Sequence, residues 1–392
     1  LFRTVDAGVS GMSGAIRFTT GTTSSGTSGL VSIATGSATD GKAGSLIMSV
    51  SSGDTLEGGA VTVTAGETTA NSQVAGTISI TSGYGSSTTA GQGGHFKVDA
   101  GLGNGGTGGS ISFTTGTSSL TSSGSVIVQS RNAGVGGISG SLNFMTGTTS
   151  SGSSGSIRLN TGAATDGRGG NIVVSVKSGT ATTGGDIIIG SGDTTAHTGG
   201  MISMTSGLGT TKSSGGVIIR TSNAGAAGAS GIMRFASGTT SSGSSGSVII
   251  STGAATAGKG GDILLSVGAG TASTGGHVRV SAGHDDEDTG GSISLTTGLG
   301  STKSSGSVVV QTFNAGSAGI SGGLTFFTGT TSAGASGSIA LSTGDATGGK
   351  AGDFVLSVGT GSATAGGDII ATAGTSTPNT GGSISMSTGA GT

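Results

Sequence analysis

Side chains suited to chemistry are sparse in this sequence, and the densest group of them is His284-Asp285-Asp286-Glu287-Asp288. Carboxylates this closely spaced can converge on a hard cation, since Ca²⁺ takes about six to eight oxygen ligands of this kind. Asp285, Asp286, Glu287 and Asp288 are therefore the candidate metal ligands. The competing reading is a solvated corner, because the matching stretch of other repeats is Ala, Ser, Thr and Gly, and charge blocks are usually exposed. A calcium-binding nonapeptide of the Gly-Gly-x-Gly-x-Asp kind would be a stronger sign. Gly105-Gly-Thr-Gly-Gly109 has no Asp at the required place.

Other chemistries find less support. His95 and His277 stand in equivalent positions just before an apolar run, while His197 and His284 fall in return segments. A metal centre would need several of them brought together with other ligands, and they are far apart in sequence. A Ser or Thr nucleophile needs a base and an oriented third group, and Ser, His and Asp fall on neighbouring repeats only around His277 to Asp288. Polyanionic-sugar lyases built on solenoids cluster many charges in a groove, whereas 8% of residues here are charged. The Gly-rich runs are not phosphate loops, because none ends in Lys-Ser/Thr before a helix. The sequence reads as non-enzymatic, with no catalytic residue and no cofactor.

The elements that would position any site are set by an internal repeat. Of 392 residues 89 are Gly, with 1 Pro, no Cys and no Trp, which excludes both a conventional helical domain and a disulfide scaffold. A formal net charge of -2 leaves no basic face for nucleic acid, and no run of about 18 apolar residues is present to span a bilayer. The hydrophobic fraction of 31% argues against disorder and for something regular being buried. Apolar anchors recur at Ile16, Val31, Leu46 and Val61, and later at Val248, Ile263, Val278, Ile293 and Val308. Most steps are 15 residues, with 16 between Val126 and Leu142, Val217 and Met233, and Val308 and Leu324. Two positions on stands a second apolar residue, such as Phe18, Leu265 or Leu295, which is a period-2 strand pattern.

Gly precedes each of the 25 anchors by two positions. Members of this column include Gly14, Gly29 and Gly44, then Gly246, Gly261, Gly276, Gly291 and Gly306, and finally Gly337, Gly352, Gly367 and Gly382. A position restricted to Gly implies either φ > 0 or a backbone approach too close for a Cβ. A second column, including Gly66, Gly83, Gly253, Gly283 and Gly298, follows the run, so the strand is bracketed by corners. Substituting Val at Gly382 is expected to clash, and Val at Ser385 to be mild.

A longer period is superposed. Gly-Thr-Thr-Ser-x-Gly begins at Gly21, Gly147, Gly238 and Gly329, and the last two intervals are each 91 residues, or six units. The first interval is 126, longer by 35, which equals the 17-residue step from Val61 to Ile78 plus the 18-residue step from Ile78 to Phe96. Two units are inserted there. The chain is thus expected to be one continuous domain over 1–392, with super-repeats 21–146 (carrying the insertion), 147–237, 238–328 and 329–392, the last incomplete.

One strand per 15-residue unit, stacked on its copy in the next, predicts an all-β parallel β-solenoid (β-helix) of roughly 25 coils, handedness open. At about 4.8 Å per coil such a rod would be about 120 Å long. Lys42, Arg168, Lys259 and Lys350 occupy one position of equivalent units, and Lys212 and Lys303 another. They either keep a nearly neutral rod soluble or pair laterally with acids such as Asp186, Asp262, Asp353 and Asp368. The residue after the anchor is apolar in two unit types, at Ile47, Val173, Leu264 and Val355 and at Ile127, Ile218 and Val309. Such a stripe either contacts another surface or is covered by return segments of the same chain.

Coils of the Gly-Gly-Ser-Ile-Ser-Leu-Thr-Thr-Gly type, at Gly290 to Gly298 and similarly at Gly381 to Gly389, resemble the Gly/Ser/Thr-rich tandem-repeat β-solenoids of extracellular fibres and cell-surface layers of microalgae and other microbes. The resemblance implies a secreted structural polymer, glycosylated on Ser and Thr. No Asn lies in an Asn-x-Ser/Thr acceptor, as Asn71-Ser-Gln and Asn160-Thr-Gly illustrate, so any glycans would be O-linked.

Three function classes compete. A structural filament or surface-layer protein has copies of itself as partners, head to tail and laterally, with no nucleic acid and no membrane span. An ice-binding solenoid needs flat ranks of Thr, and Thr19, Thr64, Thr81, Thr114, Thr205, Thr296 and Thr372 form one that Asp99, Gln129, Asn160 and Arg220 interrupt. The third class is an adhesin stalk or carbohydrate-binding solenoid. Leu1 aligns with Val309 and Thr392 with Ser301, so only the equivalents of residues 302–308 separate the two registers. Copies joined head to tail would continue the super-repeat phase almost unbroken.

Overall fold

Glycine has no Cβ, so two glycines flanking a stretch of small residues let a chain fold back on itself at little steric cost. Loops of this kind are the main local structure of the chain in the computed structural model, which describes every residue except 55, 181–182, 272–273, 363–364, 378 and 391–392. Thr392, and with it the junction register, lies outside the described residues. The chain divides into two units, Leu1–Ile202 and Ser203–Thr392. The division falls directly after an anchor and inside the super-repeat 147–237.

Within Ser203–Thr392 four of the loops are shut by the two Gly columns acting on each other. Gly291 N–H donates to the Gly283 carbonyl at 3.0 Å, Gly306 N–H to Gly298 at 3.2 Å, and Gly382 N–H to Gly374 at 2.9 Å. Each closure spans eight positions, and 292–297 passes between two of them without a bend. Bends fall at 210–212, 226–228, 241–243, 256–258, 286–288, 301–303, 317–319, 332–334 and 347–349. The repeat period of the sequence is thus a period of the backbone. Its longer steps return as the intervals from 210 to 226 and from 301 to 317.

Within Leu1–Ile202 the same closures join Gly109 to Gly101 at 2.9 Å, Gly124 to Gly116 at 3.2 Å and Gly200 to Gly192 at 2.9 Å. The two inserted units close Gly76 on Gly66 and Gly94 on Gly83, both at 2.9 Å, over ten and eleven positions. Those loops are longer by two and three residues, the same surplus by which their steps of 17 and 18 exceed 15. All of the added length is taken up by the loops, where closure entropy grows only slowly with length.

No helix and no strand occurs among the described residues, and so none is long and apolar enough to cross a membrane as a helix. The expected all-β parallel β-solenoid, with one strand per coil and roughly 25 stacked coils, is therefore corrected, and the length derived from stacking goes with it. The physical reason lies in where the chain closes. A solenoid coil must come round once per repeat unit, so that its return segment forms a second wall over the apolar run. In nine units the return segment is shut at its own neck, between one Gly column and the next, instead of leading over the apolar run.

The expected regular core is corrected as well, since no described residue is buried. Anchors such as Ile111 are about half exposed, at 49%, and the second apolar residue is more so in units such as Ile263 to Leu265, where Leu265 is 75% exposed. At the Gly column preceding the anchors, the structure selects close approach over unusual dihedrals, because none of its described members has a left-handed φ. A Cβ at Gly291 would stand 3.2 Å from Gly283 N, and one at Gly276 would stand 2.7 Å from Val267 Cγ1. At Gly382 the nearest atom would be Gly374 N at 3.4 Å, an ordinary contact for a Cβ, so a clash there would come only from the γ-branches of Val.

Candidate functional site

The acidic segment folds into one of the eight-position loops and uses its best ligand on its own backbone. Asp285 Oδ1 accepts hydrogen bonds from Glu287 N–H at 2.9 Å and Asp288 N–H at 2.6 Å. These two bonds, that from Glu287 first, hold the Asp285 carboxyl below its ordinary value of 3.8. Asp288 Oδ1 accepts from Thr289 N–H at 2.8 Å, and His284 Nε2 lies 2.9 Å from Asp286 Oδ1. All five side chains are exposed. The carboxylates of Asp285, Asp286 and Asp288 thus face separate partners, and no cluster of three or more potential metal ligands, Glu287 included, occurs among the described residues.

The recurring cations turn onto their own units. Lys259 Nζ pairs with Asp262 at 2.9 Å and Lys350 Nζ with Asp353 at 2.9 Å, both three positions along. Arg168 donates to Asn171 Oδ1 at 2.8 Å, in the same relation. Lateral pairing of Lys259 and Lys350 with acids elsewhere is therefore replaced by a local pair. Their exposure makes such pairs worth about 0 to 1 kcal/mol.

The apolar stripe is uncovered. Leu264 is 87% exposed and Val309 74%, and Ile47, Ile127, Val173, Ile218 and Val355 are exposed to a similar degree. Of the two sequence readings, cover by return segments of the same chain is excluded at these seven positions.

The described residues also hold a recess of about 210 Å³ lined by Arg220, Thr221, Ser222 and Asn223. Four consecutive residues form it, so it is a fold of one segment and brings no distant groups together.

One structural role was missed by sequence reasoning although its signal was present. In the loops that begin at Gly21, Gly147 and Gly238, the second Thr donates its hydroxyl to the carbonyl two residues on. The bonds are Thr23 to Ser25 at 2.9 Å, Thr149 to Ser151 at 3.0 Å and Thr240 to Ser242 at 2.9 Å. The final Gly then takes a left-handed φ, +107° at Gly26, +108° at Gly152, +102° at Gly243 and +141° at Gly334. The six-residue motif is thus a turn specification, with Thr and Gly at the positions that the turn demands.

Comparisons with protein-family models, with curated proteins and with solved structures find no match to this chain.

Proposed function

We propose that this chain is a structural repeat protein of the extracellular space or cell surface, acting as a self-associating scaffold with O-glycans on its exposed Ser and Thr. The observation carrying this reading is the repetition of one loop geometry, in which the hydroxyls of Thr23, Thr149 and Thr240 make the same bond at 2.9, 3.0 and 2.9 Å. A catalyst or receptor needs at least one place unlike the rest, because function resides in sites rather than folds. A scaffold needs each unit to do the same thing as the last. The hydroxyl-rich loops are exposed, open to glycosyl transfer.

Immunogold electron microscopy of intact cells with an antibody to the chain tests location and form. Labelled fibres or sheets outside the cell are expected, and dispersed label in the cytosol would overturn the reading. Glycopeptide mapping of native material tests the modification. Hexose or pentose additions are expected on peptides covering 238–246, and unmodified peptides throughout would remove that part.

A further inference from the structure

The exposed apolar runs have no cover within their own chain, and three observations show that they are suited to being covered. The first is area. The chain exposes 38782 Å², whereas a folded monomer of this mass would expose about 13,400 Å². The difference far exceeds the roughly 2,000 to 5,000 Å² buried in obligate interfaces. The second is the composition of particular runs. In Ile263-Leu264-Leu265 all three side chains are exposed, at 61%, 87% and 75%, although successive residues of an extended run point to opposite faces. Runs apolar on both faces are characteristic of segments covered on both sides. The third is the backbone. Among the described residues the backbone hydrogen bonds close loops, and the N–H and C=O groups of runs such as 292–297 pair with none of the described backbone. An unpaired row of this kind is a template for another chain.

We propose that the runs are covered by further copies of this chain, lying parallel and in register, so that each run meets the same run of its neighbour. This names the partner in the scaffold reading above and rests on it. Periodicity singles out that partner. Anchors at a constant spacing, with one longer step in each six-unit block, match a surface that carries the same irregularity, and a second copy in parallel register has it throughout. In-register pairing sets like residues against like: Lys259 with Asp262 and Lys350 with Asp353 neutralise each other within each copy, whereas Asp285, Asp286, Glu287 and Asp288 would meet their own copies, so the runs and not this loop must supply the contact. The inserted pair of units then acts as a register key. A copy displaced by one super-repeat keeps its phase over 238–392 but loses it across the long loops 66–76 and 83–94.

The native chain has no Cys, so single cysteines label cleanly. Full-length Ser294→Cys is divided into donor-labelled and acceptor-labelled pools, and Ser112→Cys is treated likewise. Mixed pools of the same variant should show strong energy transfer, and donor at 294 with acceptor at 112 should show little. Sedimentation velocity across a dilution series should give species heavier than one chain, with the midpoint moved at least tenfold by Leu264→Asp and much less by Thr256→Asp, which lies in a bend between runs. A single-chain mass at every concentration overturns the proposal, as does transfer that is stronger between 294 and 112 than between like positions. A lipid or polysaccharide occupant would appear as a single-chain mass until vesicles or glycan are added, which also overturns it. The scaffold reading is judged separately by its location in cells, so the two can fail independently.

Discussion

Two residues carry strain or charge that can be measured on their own. Gly243 sits at φ +102° with open space where a Cβ would go. The cost of Gly243→Ala is therefore one of backbone conformation alone, about 1 to 2 kcal/mol for an L-residue in this region. Gly253 has the same open space and no left-handed φ, so Gly253→Ala is the control. Amide exchange read peptide by peptide should speed up over 238–246 for the first variant and stay unchanged over 248–258 for the second. Asp285 offers a pH readout. Its carboxyl is depressed in the folded loop, so the contribution of its two bonds is complete above the ordinary value of 3.8 and is lost as pH falls through the lowered one. The Glu287 and Asp288 amide resonances should therefore shift together below pH 3.8, and Asp285→Asn should abolish that shared step.

At the scale of the loop, the Gly column divides into tight and tolerant members. Cβ atoms added at Gly59, Gly185, Gly276 and Gly367 would lie 2.6, 2.8, 2.7 and 2.9 Å from the Cγ1 of Val50, Val176, Val267 and Val358. Gly276→Ala should therefore force the backbone at Gly276 and the Val267 side chain apart, and adding Val267→Ala should relieve this, because the obstructing atom is then gone. Gly261→Ala, whose new Cβ would find Thr252 Cγ2 at 3.4 Å, should need no rescue. Protease nicking of the loops on either side distinguishes the two. Loop length should matter much less. Three residues added within 284–290 reproduce the eleven-position closure already present between Gly83 and Gly94, and should cost under about 1 kcal/mol.

For the whole molecule, the exposed area governs thermodynamics. A chain with no buried residue among those described has little surface left to expose, and the denaturant slope scales with the surface exposed on unfolding. Dilute single chains should therefore lose their loops gradually in urea, with a slope below the usual range for a chain of 392 residues. Assembled material should melt in a sharp transition at a midpoint that rises with protein concentration. A sharp, concentration-independent transition of the single chain would contradict the absence of a core.

The sequence by itself determined the period. Anchors, both Gly columns, the six-unit super-repeat and the inserted pair of units all return in the backbone, as bends at the spacing of the repeat and as loops lengthened by the inserted residues. Those features are local, set by which positions lack a Cβ and which hydroxyls reach a carbonyl two residues away, and local rules can be read along a chain. What the period builds was not legible. An alternating apolar run such as Ile293-Ser-Leu295 fits a stacked strand or an uncovered one equally well, since alternation records which side chains share a face and not what lies opposite. The tertiary structure decided between them by placing the closing hydrogen bond of Gly291 on Gly283 instead of leading the return segment over the run. It decided likewise at Lys259 and Lys350, which pair with the acids three positions on, and at Leu264 and Val309, where no segment of the same chain provides cover.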